Sequence, residues 1–432
     1  MPKTSGVRPP PRLRAWLASA AIAASLLGPA ATAQATPPGL TQTDALSRAA
    51  AYDPTRPAVE ARVAAGEAAV RQAGVKPNPS LGVELENFAG TGAYSLLDRT
   101  EATVSYEQTL ERGGKREART GLARAQLDTV RLRGAVRSLD VLRDVEVAYA
   151  EALAAEAELL IADARLVAVQ SAQRDVDRRV KSARDPLFAG SRAETIVAQA
   201  EITRDEARAA AAAARANLAA YWGGGADFAL DLKTFFEVTP PTLPSTASDA
   251  PDLQLLAAER DAAAAAVRVE QSRAVTDPTV RAGIRYLGQG DDVAVVVGGS
   301  IPLRRYDTNK AAIERAQAER TAAEIEVEAA RLARARQIAR LITQLSASAR
   351  ESERIRTEVI PASVRTVEQV RAGFARGGFQ YSDVAEAEKA LFDARARRVA
   401  VLRQHHLDRA ALDRLTGRHA GLVSQIARAE TR

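Results

Sequence analysis

The 432-residue chain is long enough for two or three ordinary domains, but alanine dominates its apolar content and aromatics make up only 4%. Alanine pairs the highest helix propensity with a small side chain, which favours long helices in close contact over a thick globular core. The absence of Cys excludes disulfides, thiolate zinc sites and a lipid-modified cysteine, and the formal charge of +6 does not point to nucleic acid, because most of it sits in a leader.

In that leader Arg12 and Arg14 precede the apolar run 15–27, Pro29 breaks it, and Ala31-Thr32-Ala33 offers a cleavage site before Gln34. A basic start, a short apolar run and a small-residue site make a secretory signal. The run is well short of the ~20 residues that a membrane span needs. Residues 1–33 are therefore set apart as a signal peptide. Lys3, Arg8, Arg12 and Arg14 leave with it, so the mature chain keeps 56 of 60 basic residues against 54 acidic ones, a net charge of +2. Both signs are interspersed along the chain, as on solvated helix faces.

Helical patterning follows from about 44 to 76, interrupted at Asp53-Pro54 and Pro57 and ended by Pro77 and Pro79. Two alternating runs, about 81–88 and 102–110, flank a turn-rich stretch with Gly90, Gly92 and Asp98 and predict a β-hairpin with a long loop. From Gly113-Gly114 the pattern turns helical, and no Pro interrupts 115–184, a helix of roughly 100 Å. Such a helix needs a partner along its length. Asp185-Pro186 and Gly190 break it, and a second helix runs from about 191 to 221. Pro240, Pro241 and Pro244 mark a linker, about 226–250.

The plan then repeats. A helix at 251–274 is stopped by Asp277-Pro278. Strands are expected at about 279–287 and 293–303, around Gly288-Gln289-Gly290-Asp291-Asp292. A long helical stretch, about 308–372, contains Pro361, which should kink it or open a new helix. Gly373, Gly377 and Gly378 break it, and the last helix runs from about 382 to 415. The copies match locally: Arg215-Ala216-Asn217-Leu218 stands to Gly223 as Arg409-Ala410-Ala411-Leu412 stands to Gly417. The expected organisation is a signal peptide (1–33), a first repeat (34–225, helical hairpin about 114–222), the linker, a second repeat (251–417, helical hairpin about 308–415) and a C-terminal tail (418–432).

The strands segregate their faces. Leu81, Val83 and Leu85 oppose Glu84 and Glu86; Val104 and Tyr106 oppose Ser105 and Glu107; Val280, Ile284 and Tyr286 oppose Arg281 and Arg285. Apolar outside and charged inside is the code of a membrane β-barrel, and each run has the length of a tilted span. A sheet in lipid must close, and four strands are too few, so an oligomer is required. Glu84, Glu86, Glu107, Arg281 and Arg285 then line a barrel lumen. The charged helices cannot lie in lipid and must project into an aqueous compartment.

At this point the chain resembles the TolC-like outer-membrane efflux family over about residues 40–417. The resemblance rests on Asn78-Pro79 leading to Leu85-Glu86-Asn87-Phe88-Ala89-Gly90, on Leu110-Glu111-Arg112-Gly113-Gly114-Lys115-Arg116, on Gly377-Gly378-Phe379-Gln380-Tyr381-Ser382-Asp383-Val384, and on the run from Ala387 to Arg395. The first two are similar to the branch serving heavy-metal (cobalt–zinc–cadmium or copper) efflux. The resemblance implies a mainly α fold with a small β part, built as a homotrimer with a twelve-stranded outer-membrane barrel on a periplasmic α-helical barrel. It implies a passive conduit that is not an enzyme, docked to a periplasmic adaptor protein and an inner-membrane proton-driven pump, with outer-membrane lipid around the barrel and no nucleic-acid partner. Drug or solvent efflux and type I secretion use the same fold, and a periplasmic coiled-coil adaptor is the competing class. An adaptor would carry one helical hairpin and not two copies.

The resemblance also assigns roles. Asp383 and Glu386, one helical turn apart, match acidic positions that line the closed periplasmic entrance. Leu187, Phe188, Gly190, Gly377, Gly378 and Phe379 fall in the hairpin tips, where the adaptor docks. No cofactor or metal is expected. His405 and His406 are adjacent on a helix and diverge by about 100°. Gly113-Gly114-Lys115 lacks the spacing of a phosphate loop.

Overall fold

The computed structural model describes residues 39–94, 97–238 and 250–423. The signal peptide, the middle of the expected linker and the end of the tail lie outside the described residues.

The first half opens with α1 (Gln42–Tyr52), capped by Thr41 and Asp44 in a reciprocal box. At the interruption the Asp53 carboxylate accepts hydrogen bonds from the Thr55 amide and hydroxyl, at 2.9 and 2.8 Å. α2 (Arg56–Ala73) follows, with Pro57 in its first turn, where a missing N–H costs nothing. Strands β1 (Ser80–Glu86) and β2 (Glu101–Thr109) form the hairpin. α3 (Lys115–Lys181) is 67 residues long, about 100 Å. It returns as α4 (Leu187–Ala220). The second half repeats the order: α6 (Pro251–Arg273), β3 (Thr279–Leu287), β4 (Asp292–Ser300), α7 (Lys310–Arg354), α8 (Ile360–Ala375) and α9 (Tyr381–Thr416). α3 packs along α4, α6 and α9, and α9 packs along α7 and α8.

Three boundaries differ from expectation, each for a local reason. α4 starts at Leu187, not about 191, because Pro186 at ψ 153° is already set to launch a helix. Leu187, Phe188 and Gly190 therefore stand on the first helical turns and not in a loop. Gly373 and Phe374 are still inside α8 and buried, so the second tip is confined to residues 376–380. β4 stops at Ser300, short of the expected 303, since Pro302 has no N–H to extend a ladder. At Pro361 a new helix opens, as one of the two expectations had it, with the proline in the first turn of α8. A π-helical turn, Ile355–Val359, precedes α8 and absorbs the ring that would clash in a regular α-helix.

The expected linker is packed where it is described. Residues 233–236 form a helical turn, α5 (Lys233–Phe236), and Phe235 is fully buried. It joins the main core with Leu46 of α1, Leu142, Val145 and Leu153 of α3, Leu218 of α4, and Val399 and Leu402 of α9. Alanines 45, 49, 148, 152, 154 and 157 fill the gaps between these larger groups. Small side chains let the helix axes approach, and buried Tyr149 satisfies its hydroxyl by donating to the Leu40 carbonyl at 2.9 Å.

Candidate functional site

Two regions carry the function expected of this chain, the sheet at one end of the helices and the hairpin tips. The strands form one antiparallel sheet in the order β1-β2-β3-β4, with β2 and β3 joining the two halves. Val83 faces Val104, which faces Ile284, which faces Val295. One sheet face is thus apolar across all four strands, and Leu81, Val83, Leu85, Val104, Tyr106, Ile284, Val293, Val295 and Val297 on it are exposed. An apolar surface of this extent is an interaction surface and is not compatible with water on both sides.

The opposite face is polar and internally paired. The Arg285 guanidinium reaches Glu86 on β1 at 3.0 Å and Glu101 on β2 at 2.9 Å, and its Nε donates to Thr103 at 2.9 Å. Arg281 lies 3.7 Å from Glu107. Glu84 is exposed on the same face. The structure therefore brings Glu86, Glu107, Arg281 and Arg285 together, with Glu101 and Thr103 as partners that sequence reading missed. A face-alternation argument finds the polar face, but cross-strand pairing needs the register. The outer edges of β1 and β4 have no neighbour among the described strands. No described helix is long and apolar enough to cross a membrane.

Gly113 and Gly114 connect this sheet to α3. Both take positive φ, and a Cβ on Gly113 would fall 2.6 Å from Val275. The pair is a turn that swings the chain out of the sheet into the helix, which accounts for the glycines without any phosphate.

At the far end, Leu187 and Phe188 are 82% and 70% exposed and Phe379 is half exposed. Phe379 rests its ring on Gly373, where a Cβ would collide at 2.1 Å. Gly377 turns the chain at φ 85°. Asp383 is committed locally: its carboxylate accepts from the Gln380 amide at 2.8 Å, closing a capping box for α9. Glu386 is exposed one turn further on. Beneath the tips, Val176, Ala189, Ala193, Phe374, Tyr381 and Val384 form a small core shared by both hairpins.

Arg179 fastens that core. Its guanidinium makes a two-point pair with Asp185 at 2.8 and 2.9 Å, donates to the Phe374 carbonyl at 2.5 Å and lies 4.4 Å over the Phe374 ring. The bond to Asp185 raises its pKa further. Sequence reading had no signal for it, because Phe374 is 195 residues away in the chain.

The histidines have structural partners. His405 Nδ1 meets the Ser348 hydroxyl at 2.9 Å, and His406 stacks on Phe235 with Nε2 donating to the Phe235 carbonyl at 3.1 Å. Burial lowers the pKa of both, that of His405 to about 4. His419, Glu146 and Asp413 cluster closely enough for a cation. Most of their polar atoms already have protein partners, although Glu146 Oε2 is buried without a hydrogen bond. Glu146 accepts from Gln42 at 2.7 Å and pairs with His419 at 2.9 Å, while Asp413 pairs with Arg409 and Arg418 at 3.3 and 3.0 Å. The cluster ties the segment after α9 to α3. Burial raises the Glu146 pKa.

The profile of the family described as "Outer membrane efflux protein" matches residues 45–224 and 243–418. The cobalt-zinc-cadmium resistance protein CzcC of Cupriavidus metallidurans is 28% identical over 389 residues, covering 88% of this chain and 90% of that one. The nickel-cobalt-cadmium resistance protein NccC of Alcaligenes xylosoxydans xylosoxydans is 26% identical over 291 residues, 66% of each chain. Among solved structures, the outer membrane protein VceC of Vibrio cholerae superposes with a TM-score of 0.69 at 19% identity, over 87% of this chain and 96% of that one. CusC superposes with a TM-score of 0.72 at 15% identity, over 87% and 91%. At these identities the superpositions establish a shared fold.

Proposed function

The chain belongs to the outer membrane efflux protein family, and from that premise we propose that it is the exit duct of a three-part assembly exporting heavy-metal cations. It is an outer-membrane efflux channel of the TolC-like fold, with its helices extending into the periplasm. The observation that carries the duct is the sheet: four strands, apolar on one face and ion-paired on the other, with both outer edges open. Three copies edge to edge give twelve strands, a closed barrel with no unpaired backbone in lipid. The lumen side carries Glu84, Glu86, Glu107, Arg281 and Arg285.

The cargo reading rests on the resistance relatives, two of which are named for cobalt and cadmium. A duct performs no bond chemistry, and selection of the ion belongs to an inner-membrane proton-driven pump joined through a periplasmic adaptor. The tips bearing Leu187, Phe188, Gly190, Gly377, Gly378 and Phe379 are the adaptor-docking surface. Asp383 and Glu386 form the periplasmic gate: a threefold ring of carboxylates attracts cations and repels itself. Glu386 carries the larger share, since Asp383 is held by the helix cap.

A strain lacking this gene tests the cargo. Tolerance of cobalt, zinc, cadmium and nickel should fall and return with the gene, while tolerance of lipophilic drugs stays unchanged. Loss of drug tolerance with intact metal tolerance would overturn the metal reading and leave the duct standing.

A further inference from the structure

The periplasmic end of the sheet, where strands meet helices, has a different surface from the outer end. The chain leaves β4 in an irregular segment, 301–309, that continues the apolar surface: Ile301 is exposed, and Leu303 and Tyr306 are 91% and 88% exposed. Leu303 is three residues beyond Ser300, within about 10 Å of chain from the end of the strand. These exposed groups follow in the chain on Val293, Val295 and Val297 of the apolar sheet face.

Around them stands a set of cations. Lys76, Arg112, Arg116, Arg304, Arg305 and Lys310 are all exposed, and none forms an ion pair among the described residues. Most rim carboxylates are already occupied. Glu111 is paired with Arg119, Asp277 with Lys115 at 2.5 Å and the Arg112 amide at 2.9 Å, and Glu270 with Arg273 at 2.7 Å. Asp307 turns back to the Asn309 amide at 2.9 Å, and Glu117 and the exposed Glu314, one helical turn after Lys310, are the remaining acids against six cations. At the opposite end of the sheet the sign reverses: Asp98, Asp291 and Asp292 face a single cation, Arg99.

We propose that this rim is a binding surface for anionic phospholipid headgroups in the periplasm-facing leaflet. It rests on the membrane-barrel reading but not on the cargo. Arg305 lies over the Tyr306 ring at 5.5 Å, a flat cationic and aromatic pair suited to the boundary between acyl chain and headgroup. One N–H of Arg304 already donates to the Arg273 carbonyl, and the remaining donors of the exposed guanidinium groups match a phosphate diester. Long basic side chains can lie along the acyl region and keep their charge at headgroup level. The neighbouring protomer is a poorer occupant, since the apolar groups here continue the lipid-facing side of the sheet.

The full chain, purified as its oligomer, is placed in nanodiscs of phosphatidylcholine alone or mixed with phosphatidylglycerol, and retained lipids are counted by native mass spectrometry. The wild type should retain phosphatidylglycerol preferentially, and the preference should shrink in high salt. The R304Q/R305Q/K310Q variant should lose it, with affinity falling about five-fold for each cation removed. R112Q/R116Q should act in the same direction, and R99Q at the opposite end should change nothing. Equal retention of both lipids by the wild type, or undiminished phosphatidylglycerol on the triple variant, would overturn the proposal. So would a triple variant whose oligomer falls apart equally in both lipids, which would mark a contact between protomers. Insertion into the nanodisc reports the barrel, and lipid preference reports the rim, so the two failures are distinct.

Discussion

Arg179 sits at the lower end of α3 with both edges of its guanidinium occupied and its face on Phe374. The groups are half-buried, so removing one partner leaves the other poorly solvated. Arg179→Ala should loosen the two hairpin tips from each other by roughly 1–3 kcal/mol. In planar bilayers the variant should show larger or more frequent conductance steps, and Asp185→Asn should move the same way by less. An unchanged conductance would mean the fastening has no bearing on the entrance. His405 sets an acid limit. Its folded pKa of about 4 lies below its ordinary 6.5, so the unfolded chain takes up the proton first. The associated stability is complete above pH 6.5 and is lost as pH falls towards 4, up to about 3 kcal/mol per chain. Glu146 and Glu388 have raised values and respond in the opposite sense. The difference between wild type and His405→Asn therefore isolates the histidine. The melting temperature of the wild type should fall more steeply between pH 7 and 4.5 than that of the variant.

At the scale of elements, the long helices follow from composition and punctuation. Alanine-rich periodic sequence with no Pro between 115 and 184 leaves α3 little alternative, and Asp185-Pro186 ends it. The tips were less legible. Whether Leu187 belongs to a turn or to the first turn of α4 depends on backbone angles at Pro186, which residue type constrains only in part. The stretch before the proline-rich segment was legible as a connection but not as core. Leu232 to Phe236 is too short to show a period, and its burial comes from α3 and α9, far away in sequence. Phe235 anchors that connection. Phe235→Ala should destabilise the chain by about 3–5 kcal/mol and expose the segment 226–238 to limited proteolysis. A variant as stable and as resistant as the wild type would show that the turn merely rests on the helices.

For the molecule as a whole, the open edges of β1 and β4 are the decisive feature. Because the chain has no Cys, engineered cysteines report contacts against a clean background. Cysteines replacing Val83 on β1 and Val295 on β4, joined by a flexible bifunctional maleimide in outer-membrane fractions, should give covalent dimers and trimers. Either cysteine alone should give markedly less, and a product confined to monomer would rule out edge-to-edge closure. The amino-acid sequence by itself determined the order of elements in each half, the length of the helices and the polarity of the two strand faces. These are local properties, set by periods of two and 3.6 residues and by Pro and Gly. Tertiary structure alone decided that β2 pairs with β3, so that Arg285 meets Glu86 and Glu101. It also decided that Arg179 binds the tips together through Phe374, and that the rim cations are left without ion pairs among the described residues. Each depends on residues brought together from distant parts of the chain, and short-range patterning carries no information about which of many compatible partners a side chain will meet.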